Sequence, residues 1–413
     1  MPTLIKPLRG LRPAPGRAAD VIAPPYDVLN SAEARLRAAG RPASFLHISK
    51  PEIDLPDGID PYDPQVYARG AVNFRAMIAN GILVRDQAPC YYVYRLRMGD
   101  HVQTGIVCAG SVAAYDANRI RKHEYTRPDK EDDRVRQITA LNAQTGPVLL
   151  AYRAQEAVHA TLAGIASGQP LCDVTADDGI VHTLWLVDDT AVIASLTRLF
   201  DGMDALYIAD GHHRSASASR VAAASRAGSP RPTGGESWEY FLCVAFPHDE
   251  MKILDYNRVV RDLNGRSPEA FLAAAGACFE VVPARSRVHP DGAGEFGMYL
   301  AGRWYRLRIR RERMPADPVA SLDVSLLQDN LLGPVLDIRD PRTDKRIDFV
   351  GGMRGLGELE KRVDSGEMAV AFALFPTSMQ ALMAVADANR VMPPKSTWFE
   401  PKLADGLVSH VLD

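Results

Sequence analysis

No Cys-x-x-Cys pair, no run approaching the ~18 uninterrupted apolar residues of a membrane span, and no GxxxxGK[ST] loop occurs in the 413 residues. Each absence excludes something. The five cysteines (Cys90, Cys108, Cys172, Cys243, Cys278) are scattered, four of them in apolar runs, so they read as buried free thiols whose spacing supports neither a disulfide framework nor a zinc site. The N-terminal Met1-Pro2-Thr3-Leu4-Ile5-Lys6-Pro7 lacks the apolar core of a signal peptide, and a cytoplasmic protein without a membrane partner is expected. A missing Walker loop argues against a P-loop kinase. Charge of one sign is also lacking: the formal net charge is -3, which gives no overall pull toward nucleic acid.

What is present is an ordinary globular balance, 46% hydrophobic and 24% charged, in a chain too long for one core. Strand-like and helix-like segments alternate, which predicts an α/β (α+β) fold of mixed sheets with flanking helices. Strands are expected at 90–96 and 104–110, joined through Gly99-Asp100, and at 148–152, 181–187, 205–209 and 240–246. Helices are expected from Ser31, which is read as an N-cap, and at 66–80, 156–166, 191–200 and 268–275. The Gly/Pro/Ser-rich stretch 227–235 reads as linker-like, a mobile surface loop, and three regions follow: a wrapping region 1–110, a core 111–228 and a C-terminal region 236–413. A homodimer remains open.

Three clusters carry chemistry. In Leu206-Tyr207-Ile208-Ala209-Asp210-Gly211-His212-His213-Arg214 an apolar strand runs into a carboxylate and a glycine and then into a small-residue helix. The free N–H groups and dipole of such a helix start favour an anion, Arg214 can add a bidentate clamp, and the histidines can move protons near neutral pH. Asp210 can hold a divalent cation such as Mg²⁺ or orient a histidine. The bland alternative is a polar turn with an Asp cap. The segment from Arg121 to Arg134 packs eleven charged or His side chains into fourteen residues, and reads either as a site or as a solvated loop followed by a helix. The third cluster, Met392-Pro393-Pro394-Lys395-Ser396-Thr397-Trp398-Phe399-Glu400-Pro401-Lys402, suits a stiff anion-binding loop folded back onto the first cluster, or else a structural clamp.

With Ala23-Pro24-Pro25-Tyr26-Asp27-Val28 and Ser44-Phe45-Leu46-His47, these segments resemble the bacterial and archaeal family known as domain of unknown function 1015, over nearly the whole chain. The Asp-Gly-His-His-Arg stretch is also similar to the phosphate loop of the ParB/sulfiredoxin-like superfamily, which includes ADP-dependent kinases of free serine. That resemblance implies a ParB/sulfiredoxin-like core. It also implies a phosphotransferase acting on a small hydroxylated amino acid, free serine or phosphoserine first, with ADP or ATP and Mg²⁺. By motif, Gly211, His213 and Arg214 would hold phosphate, and Asp210 and His212 would sit beside the transferred group. Glu124 would be the base, and Lys130, Arg134, Lys395, Ser396 and Thr397 would add phosphate contacts. The rival readings are a partition-like nucleotide- or DNA-binding regulator, a ligand-binding regulator without turnover, and a phosphate-ester hydrolase using the same loop.

Overall fold

The structure of the protein, a computed structural model, describes residues 3–413. The chain forms two units, one of Met1–Met251 with Pro401–Asp413, the other of Lys252–Glu400.

The first unit is built on a nine-stranded mixed sheet: β1 (Ile5–Lys6), β2 (Tyr91–Met98), β3 (His101–Ser111), β4 (Ile120–Arg121), β5 (Val148–Tyr152), β6 (Cys172–Thr175), β7 (Val181–Val187), β8 (Leu206–Asp210) and β9 (Tyr240–Pro247). The order is β4-β8-β5-β9-β3-β2-β7-β6, with β1 paired to β3. The β2–β3 hairpin turns at Gly99-Asp100, where Gly99 takes a φ of 59°, as its sequence predicts. Five helices concern the core and the site: α1 (Pro64–Ala79), α2 (Pro128–Leu141), α3 (Glu156–Ile165), α4 (Thr190–Asp201) and α5 (His212–Gly228). α1 starts because the Asp63 side chain accepts the Gln65 N–H and Pro64 occupies the first turn. It buries Val66, Ala71, Phe74 and Met77 at helical spacing. The helix Ser31–Ala38 is capped by Asn30 rather than Ser31, in a reciprocal capping box with Glu33.

The stretch 227–235 is not a boundary between units. α5 runs through Gly228, and after the loop the chain enters β9, which lies between β5 and β3 in the middle of the sheet. The expected break after residue 110 also falls inside this sheet, because β2 and β3 are among its central strands. The cysteines are free among the described residues: Cys90, Cys108 and Cys243 are buried, and Cys172 and Cys278 are partly so.

The second unit has a six-stranded antiparallel sheet: β10 (Tyr256–Val260), β11 (Phe279–Ala284), β12 (Glu295–Leu300), β13 (Arg303–Ile309), β14 (Ile347–Gly351) and β15 (Val370–Leu374), in the order β11-β13-β12-β15-β10-β14. The β12–β13 hairpin turns on Ala301 and Gly302, both at positive φ. The strands Lys252–Leu254 and Trp398–Glu400 pair at the point where the chain enters and leaves this unit. No helix among the described residues is long and apolar enough to cross a membrane.

Candidate functional site

Strand β8 is buried up to Ala209 and ends on the partly exposed Asp210. Gly211 then makes the turn into α5 with a φ of 99°, a backbone conformation that favours glycine. A Cβ there would also lie 3.1 Å from the Arg214 guanidinium carbon. The first helical bond runs from the Ser215 N–H to the Gly211 carbonyl, so the helix itself leaves the N–H groups of His212, His213 and Arg214 unused.

The two-residue β4 explains how the second cluster reaches this turn. It pairs in parallel with β8, Ile120 opposite Leu206 and Arg121 opposite Tyr207, so the residues after each strand emerge side by side. His123 and His212, both buried, meet edge to face with ring centroids 4.5 Å apart. The His123 backbone N–H points at His212 Nε2 over 3.4 Å, and His212 Nδ1 lies 3.7 Å from a carboxylate oxygen of Glu124, whose side chain is 46% exposed. Burial pushes the His123 pKa down to about 4. Burial first, and His123 second, hold His212 well below the ordinary histidine value, so both rings are neutral at physiological pH. A single ligand atom from each of His123, Glu124 and His212 falls within 4.8 Å of the other two, a set able to hold a metal ion.

Helix α2 crosses beside α5. Ser217 Oγ donates to the Glu131 carbonyl at 3.0 Å, and Arg220 pairs with Glu131 and Asp132. The Arg127 N–H donates to His213 Nε2 at 3.1 Å, and burial lowers the His213 pKa. Arg134 is nearly buried, paired with Asp133 at 2.6 Å and lying 3.9 Å over the Tyr26 ring. Lys130 donates instead to the Tyr62 hydroxyl at 2.5 Å. Tyr26, Arg134, Thr145, Gly146, Arg214 and Asp405 line a cleft with about 470 Å³ of atom-free space that includes its opening to solvent. Burial pushes the Asp405 carboxyl up to about 7 despite Arg214, and its Oδ1 has no hydrogen-bond partner.

Asp210, expected to take Mg²⁺, is engaged already. Lys402 Nζ lies 3.1 Å from Oδ2, and Arg214 Nη2 lies 3.7 Å from Oδ1. Burial would raise its pKa, but Lys402 and Arg214 outweigh burial and hold it far below the usual carboxylate range. A carboxylate held by two cations does not fit a resident Mg²⁺ without releasing them. Arg214 also donates to the Pro147 carbonyl, so its guanidinium is only partly available to an anion.

Glu124, Asp210, Gly211, His212, His213, Arg214 and Arg134 all belong to the first unit, as does Lys130. Lys395, Ser396 and Thr397 belong to the second. There the Lys395 carbonyl accepts Arg258 Nη2 at 2.8 Å, Ser396 Oγ donates to the Pro393 carbonyl at 2.6 Å, and Thr377 Oγ1 donates to the Ser396 carbonyl at 2.8 Å. The chain returns to the first unit at Pro401, and Lys402 is its contribution to the Asp210 turn. Sequence reasoning missed His123, Lys402 and Asp405 as site residues. Both His123, beside Glu124, and Lys402, at the end of the third cluster, lay inside segments singled out by their chemistry but were given no role.

The profile of a family described as "Protein of unknown function (DUF1015)" matches residues 5–325, more than half of the chain. The chain belongs to the DUF1015 family. A search of curated proteins gives no match. Among solved structures, similarity extends to a conserved hypothetical protein from Pyrococcus furiosus, at 14% identity over 74% of this chain and 94% of that one, with a TM-score of 0.36. A free serine kinase in complex with AMP is 13% identical over 73% of this chain and 92% of its own, with a TM-score of 0.35. SbnI with a C-terminal truncation, from Staphylococcus aureus, is 11% identical over 73% and 86%, with a TM-score of 0.39.

Proposed function

We propose that this protein is a phosphotransferase acting on a small hydroxylated amino acid, free serine before others, with ADP or ATP as the nucleotide and a ParB/sulfiredoxin-like core as its fold. The observation that carries the reading is the meeting of Glu124 with His212 at the start of α5. A half-exposed carboxylate stands 3.7 Å from a neutral imidazole, beside helix N–H groups that the helix does not use. Phosphoryl transfer asks mainly for positioning and charge neutralisation, and for one group to take a proton. In the forward direction the hydroxyl oxygen forms the new P–O bond, the bond to the nucleotide's bridging oxygen breaks, and the hydroxyl proton passes to Glu124. His212 takes its Nδ1 proton toward that carboxylate, because Nε2 accepts the His123 N–H, and so orients it. The α5 N-terminus, Gly211, His213 and Arg214 receive phosphate oxygens, with Arg134 and Lys130 adding positive charge from α2. Mg²⁺ enters this scheme with the nucleotide and has no assigned place on Asp210.

The test is direct. Purified protein is incubated with ADP or ATP and a panel of hydroxy amino acids, and phosphorus NMR follows the products. A phosphomonoester of the amino acid is expected. Release of inorganic phosphate alone would replace the reading by a hydrolase, and nucleotide binding without turnover would replace it by a regulator.

A further inference from the structure

We propose that His123, Glu124 and His212 form a binding site for a divalent transition-metal ion of the Zn²⁺ or Co²⁺ class, separate from any Mg²⁺ carried by a nucleotide. The inference goes beyond the reading above and rests on the donor set and not on phosphoryl transfer: with the ion bound, the ion and not the His212 Nδ1 proton orients Glu124, whose second carboxylate oxygen is left to take a proton.

Two imidazoles and one carboxylate suit borderline ions, whereas Mg²⁺ prefers oxygen ligands and retained waters. The three donors lie within 4.8 Å of one another. Zinc–nitrogen distances of about 2.0–2.1 Å put tetrahedral donors roughly 3.3 Å apart, so the set must close by up to about 1.5 Å. Glu124, 3.7 Å from His212 Nδ1, can supply its share of that movement, being the half-exposed member on the segment between β4 and α2, and the segment carrying His123 supplies the rest. The histidines are the buried members. His123 Nδ1 is buried without a hydrogen-bond partner, a lone pair that an ion would satisfy and that otherwise costs stability. The His123 ring is also hydrogen-bonded to the Ile208 backbone, and with Nδ1 unpaired that bond falls to the other ring nitrogen. Such an outer contact sets the tautomer and ring orientation of a metal-binding histidine. Asp210, the other carboxylate at this turn, is neutralised by Lys402 and Arg214 and does not compete for the ion.

Entry of the ion has one definite cost. His212 receives the His123 N–H on Nε2, so its proton sits on Nδ1; binding through Nδ1 moves that proton to Nε2 and gives up a 3.4 Å hydrogen bond. A contact that long is weak, so the loss is small beside three metal–ligand bonds. Three protein ligands leave the remaining positions open to water or to a substrate oxygen, the arrangement of a reactive rather than a purely structural site.

The experiment uses full-length protein stripped with a chelator and free of nucleotide. Titration with Co²⁺ is followed by visible d–d absorption, and titration with Zn²⁺ by calorimetry, with Mg²⁺ as competitor. One saturating equivalent is expected, with an intense low-coordinate Co²⁺ spectrum that excess Mg²⁺ does not displace. Glu124→Gln should weaken Zn²⁺ binding by at least ~10-fold and His123→Gln by ~10²-fold. Because His123 is buried, its variant is read only if its melting temperature stays near wild type, and the exposed Glu124→Gln carries the test otherwise. No saturable binding, displacement by Mg²⁺, or a Zn²⁺ affinity unchanged in Glu124→Gln would overturn the proposal. A protein that binds Zn²⁺ here yet transfers no phosphate refutes the kinase reading alone; one that transfers phosphate yet binds no Zn²⁺ refutes the metal site alone.

Discussion

The two units bury charge in different ways. In the first, ionisable side chains are buried together: His123, His212, Asp133 and Asp405 are all under a tenth exposed, and Arg134 and Arg214 have side chains only 14% and 12% exposed. In the second, Glu295, 8% exposed, is held by Arg306 and Arg308 between neighbouring strands, while Arg258 and Asp323 are answered by backbone. Arg258 is 4% exposed and donates to the carbonyls of Tyr256 and Lys395, and burial pushes it down to about 10. Asp323 accepts the Gly294 N–H at 2.7 Å, and burial pushes its carboxyl up to about 7. A charge answered by carbonyls or an N–H fixes a loop. Charges gathered so that they shift one another's protonation are the arrangement in which proton transfer and ligand binding can be tuned, and this is why the functional reading rests on the first unit.

The sharpest way to break this comparison is Glu124→Gln, which keeps shape and removes proton acceptance. Turnover should fall by ~10²-fold or more while nucleotide affinity and melting temperature change little. Normal turnover would move the base to Asp210 or His212; joint loss of binding and stability would make Glu124 a loop-holding residue like those of the second unit. Next in size is Arg214→Lys. A point charge cannot replace the planar fork that donates to Pro147 and faces Asp210, so affinity for phosphorylated ligands should drop by ~10-fold or more, with a stability loss of about 1–2 kcal/mol. Calorimetry showing every phosphorylated ligand bound as before would remove the phosphate-loop assignment.

The two displaced carboxyls allow a matched test. A carboxyl near 7 when folded and near ~4 when unfolded holds its proton in the native state across that interval. The native state then binds more protons than the unfolded one, so stability falls as pH rises from about 4 to about 7 and does not recover above it. Asn, which never ionises, removes the penalty. Asp323→Asn should therefore stabilise the protein at pH 8, by up to ~4 kcal/mol if the whole shift is realised, and do nothing at pH 4. Asp405→Asn should gain less, because it also takes a negative charge from beside Arg214. Denaturant titrations at the two pH values read both; a larger gain at Asp405 would show that Arg214 does not need its neighbour.

Much of this was legible locally and little of it over distance. The turn from Asp210 to Arg214 announces itself in five consecutive residues, and strands 148–152 and 181–187 and helix 268–275 fall where their patterning puts them. His123 acquires its role through β4, a two-residue strand too short to show periodicity, paired with residues 86 positions away. Lys402 reaches Asp210 across 192 positions. The misread linker at 227–235 has the composition of a boundary, yet only the pairing of β9 with β5 and β3 reveals that the chain stays in the same sheet. The real departure, at Lys252, carries no Gly/Pro signal because the chain leaves along a strand.

The smallest expected effect separates side chain from backbone at Lys395. This residue has a φ of 60°, its carbonyl takes the Arg258 guanidinium, and its ammonium lies 5.6 Å from the Tyr256 ring centroid. Lys395→Ala and Lys395→Gly remove the same charge but differ in how well they tolerate a left-handed backbone, so Gly should be the more stable by about 1 kcal/mol. If Lys395 contacts phosphate as its motif implies, both variants should lose nucleotide affinity equally, by a few-fold, whatever their melting temperatures. If affinity instead follows stability, falling in Ala and holding in Gly, the segment acts through its backbone alone. Lys395 would then join Arg258 as part of a loop fixed by carbonyls, and the gathered charges of the first unit would be left to do the binding.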